Sequence, residues 1–172
     1  MSQVAAKQYE MPRSERNLYL WFIGIGFAHL MVGLFLGFMQ GMQHAGIDLY
    51  RVIPIVRHYY QGLTAHGVFN VLVFTTFFIA GFLLFATGTS LKKPVPLRLG
   101  WVTFWVMTIG LALTDYAIFS NTSSVLFTAY SPLQAHWTFY LGLALIVVGT
   151  WLQLLIVGRM VLDWRKENPG QR

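Results

Sequence analysis

The chain has 172 residues, of which 56% are apolar and only 10% charged. A soluble domain is about 25% charged, so this composition excludes an ordinary soluble enzyme and points to a polytopic membrane protein. The net charge is +6, but the basic residues sit at the ends of apolar runs, which argues against a nucleic-acid partner and for residues that report membrane orientation.

The absence of cysteine removes disulfides, thiolate copper sites, iron–sulfur clusters and covalent haem attachment. Any metal must be held by His, Met or oxygen ligands. Sixteen glycines suit helices that pack closely in lipid. Eight tyrosines and six tryptophans suit interfacial belts.

Residues 1–17 are polar and of mixed charge, with Glu10 and Glu15 among basic residues; this is not the pattern of a cleaved signal peptide. A spanning helix needs about 20 apolar residues, and the runs at 18–42, 62–88, 99–119 and 137–158 qualify. Asp115 is the only charge in any of them. Residues 43–61 form a longer loop with room for a short interfacial helix, 91–96 a short connection broken by Pro94 and Pro96, and 120–135 an uncharged loop in which Pro132 interrupts any helix. Ten of the twelve Lys/Arg residues lie on one side of this arrangement, with only Arg51 and Arg57 on the other. The positive-inside rule makes the populated side cytoplasmic. The expected organisation is a cytoplasmic segment 1–17, an all-α four-helix membrane portion 18–162 with both ends inside, and a cytoplasmic tail 163–172, together part of a larger helical bundle.

His66 stands out chemically. It lies just inside the second run, in the outer third of the membrane, where an unpartnered histidine is costly. Neutral imidazole is a common metal ligand. Gly62 and Gly67 lack side chains and leave room for the edge of a porphyrin, while Asn70 shares the His66 face of a helix. Two readings stay open on these residues alone: a haem or metal ligand, or a histidine bonded to a neighbouring helix.

The other histidines point less clearly to a site. His29 lies midway through the first run, and a haem held between it and His66 requires strong helix stagger. His136 starts the fourth run and reads as a helix-start residue more than a ligand. His44 and His58 fall in the outer loop, most simply in solvent. Arg51, Arg57, Tyr59 and Tyr60 form an outer cationic and aromatic edge, suited either to haem propionates or to anchoring at the interface. Asp115 reads as a loop-proximal carboxylate, with a proton path as the alternative. No phosphate-binding loop, nucleophile elbow or metalloprotease signature is present.

The run from Tyr59-Tyr60-Gln61-Gly62-Leu63-Thr64-Ala65-His66-Gly67-Val68-Phe69-Asn70 through Val73-Phe74-Thr75-Thr76-Phe77-Phe78 resembles the second helix of subunit I of the B-type heme-copper oxygen reductases (cytochrome c oxidase). Tyr130-Ser131-Pro132-Leu133-Gln134-Ala135-His136-Trp137 with Phe139-Tyr140-Leu141-Gly142 is similar to the start of that subunit's fourth helix. Asp163-Trp164-Arg165-Lys166 and Asn168-Pro169-Gly170 resemble the loop that follows. The resemblance implies that His66 is one axial ligand of a low-spin haem. It also implies a multi-pass protein of a prokaryotic cytoplasmic membrane. The partners it implies are the remainder of subunit I, a copper-bearing subunit II, and cytochrome c or a similar electron donor. The family reduces dioxygen to water with coupled proton transport.

Family subunits have many more helices than four. The second low-spin ligand, the copper ligands and the high-spin haem ligand lie in segments this sequence does not match. The chain is therefore expected to be a fragment or one piece of a split subunit, inactive in isolation. Ser131 stands where family members often carry a second proline, and His29 where they carry an apolar residue. Two rivals follow from the residues themselves: a stand-alone b-type cytochrome with bis-histidine haem, and a cofactor-free structural membrane subunit.

Overall fold

The computed structural model describes residues 9–170. It contains four long helices: α1 (Arg13–His44), α2 (Tyr59–Leu91), α3 (Leu97–Phe119) and α4 (Trp137–Glu167). Each is long and apolar enough to cross a membrane. Among the described residues there is no extended strand, only an isolated bridge between Ser123 and Ala135. The all-helical membrane fold expected from the apolar runs is thus the fold observed.

The helices outrun the apolar segments. α1 starts at Arg13 with Glu15 in its first turn, and α4 continues to Glu167 with Arg165 and Lys166 in its last; acidic residues at a helix start and basic residues at its end both favour the helix dipole. The loop after α1 holds a single 3-10 turn at Leu49–Arg51, capped by the Asp48 carboxylate, which accepts from Tyr50 N. Lys92 ends α2 in the left-handed region (φ 51°), and Pro94 and Pro96 turn the chain into α3.

Lipid removes most of the hydrophobic drive between helices, so close packing and interhelical hydrogen bonds must hold them together. The α3–α4 crossing shows this most plainly. A Cβ placed on Gly142 would lie 2.9 Å from Thr114 N, and closer still to the Gly110 carbonyl oxygen and Thr114 Oγ1. Backbone meets backbone there. Elsewhere in the bundle Phe22, Phe77, Phe104 and Phe139 are buried, with Phe22 and Phe104 edge-to-face at 5.2 Å. Large apolar side chains such as Trp21, Met31, Trp105 and Trp151 point outward, as a bundle surrounded by lipid or further helices requires.

Three buried polar groups tie the elements together. Gln61 Nε2 donates to the Ile118 carbonyl (2.8 Å) and its Oε1 accepts from Arg57 N (2.7 Å), joining α2 to the end of α3. Gln153 Nε2 donates to the Ala80 carbonyl (2.9 Å), joining α4 to α2. Glu15 is 1% exposed yet accepts from the Tyr9 hydroxyl (2.7 Å), the Tyr19 hydroxyl (3.1 Å) and Val95 N (3.2 Å). Those three donors replace the water a buried carboxylate loses. Burial, with the hydrogen bond to Glu15 and its charge, holds the Tyr9 phenol well above its ordinary range.

Candidate functional site

α2 is positioned from its first residue. His58 caps it: Nδ1 accepts from Gln61 N (3.3 Å), so the proton sits on Nε2, which donates to Asn121 Oδ1 (2.8 Å). Two turns later comes His66, and directly after Gly67 the helix widens into a π segment over Val68–Phe74. Such segments are uncommon and gather at functional sites because the added residue per turn re-aims the side chains beyond it. The Thr76 hydroxyl at its end donates back to the Leu72 carbonyl (2.7 Å), a back-bond that favours a loosened helix.

The His66 ring lies against α1. Its Nδ1 is 2.8 Å from the Gly33 carbonyl oxygen. A carbonyl can only accept, so Nδ1 carries the proton and Nε2 keeps its lone pair. Among the described residues Nε2 makes no hydrogen bond, and the ring as a whole is half-buried. This close approach depends on glycine. A Cβ on Gly37 would lie 2.6 Å from His66 Cε1, and one on Gly33 would lie 2.8 Å from Asn70 Cγ and closer still to its Oδ1. The Asn70 amide nitrogen is 3.0 Å from the same Nδ1 while its oxygen is buried without a partner. A half-turn of the amide makes the oxygen a second acceptor for the ring proton. A fixed Nδ1–H and a free Nε2 are what an imidazole needs to ligate a metal.

The glycines expected to leave room for a flat group are covered. Phe127 Cβ would be 2.9 Å from a Cβ on Gly67, and the Tyr50 hydroxyl 2.7 Å from one on Gly62. The bare glycines beside the ring are instead Gly33 and Gly37. A signal for them was present in the spacing Gly33-x-x-x-Gly37, a motif of close helix contact.

His29 does not face His66. Its Nδ1 donates to the Ile25 carbonyl (2.9 Å) and its Nε2 meets Asp115 Oδ2 at 3.2 Å, so neither nitrogen is left for iron. Its ring packs edge-on to Phe69 at 5.1 Å. Asp115, one turn before the end of α3 and so close to the loop as expected, is in addition a cross-helix partner. His136 is the N-cap of α4, its Nδ1 facing Thr138 Oγ1 at 2.9 Å. His44 is exposed, as expected, with Nε2 3.2 Å from the Tyr59 hydroxyl, whereas His58 is half-buried and bonded as described. Arg51 pairs with Asp48 (3.0 Å), Arg57 is exposed, and Tyr60 is exposed beside half-buried Tyr59. Among the described residues no three His, Asp or Glu side chains converge as a protein-only metal site would need.

Breaking the His29–Asp115 pair strands one polar group within the membrane, whereas removing both leaves ordinary apolar packing. Asp115→Leu alone should cost about 1–2 kcal/mol of stability, given that both groups are partly exposed. The double variant His29→Leu/Asp115→Leu should lie closer to the parent. Thermal midpoints in detergent check this ordering; a double variant worse than either single one would refute it.

Comparison with known proteins gives a consistent picture. The family model described as cytochrome c and quinol oxidase polypeptide I matches residues 17–172. Cytochrome c oxidase subunit 1 of Thermus thermophilus is 36% identical over 161 residues, covering 91% of this chain and 29% of that protein. A heme-copper terminal oxidase dimer solved by cryo-electron microscopy superposes with a TM-score of 0.86 at 36% identity, over 95% of this chain and 28% of that one. The chain thus spans less than a third of the length of each.

Proposed function

Since this chain belongs to the cytochrome c and quinol oxidase polypeptide I family, we propose that it forms the N-terminal four-helix part of a terminal oxidase subunit I and that His66 is an axial ligand of its low-spin haem. The observation that carries this reading is the bond from His66 Nδ1 to the Gly33 carbonyl. It fixes the tautomer and leaves Nε2 as the ligating atom. The iron, when bound, accepts and releases one electron.

The chain's own residues orient and tune that ligand. The Gly33 carbonyl, hydrogen-bonded to the ring N–H, raises the basicity of the ligating nitrogen. Asn70 holds the ring from the next turn. Gly62 and Gly67 let Tyr50 and Phe127 close over the turn that carries His66. Arg51 and Arg57, with Tyr59 and Tyr60, supply a polar edge for haem propionates. The second axial ligand, the copper site and the high-spin haem belong to the remainder of subunit I. Electrons arrive through a copper-bearing subunit II from cytochrome c or a similar donor, and the complete complex reduces oxygen to water with coupled proton transport. By itself the chain is inactive. Its basic residues orient both ends toward the cytoplasm of a prokaryotic cell, in the cytoplasmic membrane.

The decisive experiment is the reduced-minus-oxidised spectrum of the complete complex carrying His66→Ala. For the arginines, neutralising Arg51 or Arg57 removes a positive charge that favours the reduced haem, so the midpoint potential should fall, most steeply at low ionic strength. Redox titration checks this, and unchanged potentials in both variants would leave the two residues as interfacial anchors.

A further inference from the structure

The Asn70 side chain makes one hydrogen-bond contact among the described residues, and that contact is the His66 ring. Its Oδ1 is buried without a partner. A Cβ on Gly33 would lie 2.8 Å from its Cγ, so the amide rests against the α1 backbone. The buried amide atom is already closed off by this chain and lies out of reach of any further segment.

The helix is shaped for this contact. Four residues overshoot a 3.6-residue α turn by about 40°. The wider π turn that begins at Val68 takes up that overshoot and keeps Asn70 over His66, with its amide nitrogen 3.0 Å from Nδ1. A buried amide in a membrane helix is costly, and leucine would fill the same space without that cost. One end of the amide faces the ring and the other faces Gly33 unpaired. The only polar contact it makes is therefore with the imidazole.

The Gly33 carbonyl already accepts from the ring N–H at 2.8 Å. With Nδ1 a donor, the Asn70 atom that faces it must be the acceptor oxygen. The ring proton then lies between two oxygens, one from each helix. Each acceptor draws on that proton and makes Nε2 more electron-rich, and an electron-rich ligand favours oxidised iron. We propose that Asn70 is a positioning residue that lowers the reduction potential of the haem iron by sharing the His66 Nδ1 proton with the Gly33 carbonyl. This rests on the reading of His66 as the axial ligand.

The test is a redox titration of the low-spin band in the complete oxidase, run beside the His66→Ala spectrum. Asn70→Leu removes the acceptor and keeps the volume. At a fixed potential it should raise the ratio of reduced to oxidised haem about tenfold, an upward shift of about 59 mV for one electron. Asn70→Ala, too small to crowd the crossing, should move the midpoint the same way and serves where the leucine variant fails to assemble. Asn70→Asp keeps an oxygen toward the ring, so its midpoint should stay at the parent's value or fall below it. Unchanged midpoints in Asn70→Leu and Asn70→Ala, with the band lost in His66→Ala, would overturn the proposal and leave His66 as the ligand. A rise in Asn70→Asp equal to that in Asn70→Leu would also overturn it, because loss of an acceptor would not be the cause. A band that survives His66→Ala would overturn the ligand assignment, and this inference with it.

Discussion

His66→Ala in the complete complex should remove the low-spin haem band from the reduced-minus-oxidised spectrum. Alanine offers no lone pair, and the described residues place no other unengaged imidazole beside Gly33 and Gly37. His29, one turn earlier on the same helix as those glycines, has both nitrogens occupied by Ile25 and Asp115. The helix that carries His66 should persist, because α2 is held by Gln61, by the His58 cap and by buried Phe69 and Phe77, none of which depends on the imidazole. Gly37→Ala supplies the graded counterpart. Its methyl would sit 2.6 Å from His66 Cε1, so the ring must tilt, and the band should shift or lose intensity while the ligand remains. An unchanged band in His66→Ala would reject the ligand assignment, and an unchanged band in Gly37→Ala would reject the proposed seating of the ring on α1.

Gly142→Ala should be the most destabilising single methyl in the chain, at about 3 kcal/mol, the upper part of the range for overpacking. Its new Cβ meets the Gly110 carbonyl and Thr114 N, both backbone, and a helix backbone cannot rotate aside as a side chain can. The two helices would have to separate along their length and forfeit the dispersion contacts that hold them in lipid. Gly24→Ala is the control. It has open space around it, so the gain in helix propensity should make it neutral or stabilising by up to about 1 kcal/mol. Thermal unfolding of the two variants side by side gives the comparison. Equal midpoints would mean that the crossing is not governed by backbone contact.

Much of this protein was legible without coordinates. Low charge and four long apolar runs specify spanning helices, since the length of an apolar stretch is a local property that the bilayer reads directly. The cost of an imidazole in lipid singled out His66 from its neighbours alone, and the phrase around it carried the family.

What remained hidden was every relation across a helix crossing. His29 pairs with Asp115, 86 positions away; Gly37 lies against the His66 ring and Gly33 offers its carbonyl to it, while Tyr50 and Phe127 cover Gly62 and Gly67; His58 and His136 turn out to be caps. The π segment after Gly67 resets the angular register on which any helical-wheel argument depends. In a soluble helix the apolar stripe announces which face turns inward. These helices are apolar on nearly every side, so their rotation is decided by where small residues let two backbones touch, and that choice exists only once the helices are packed together.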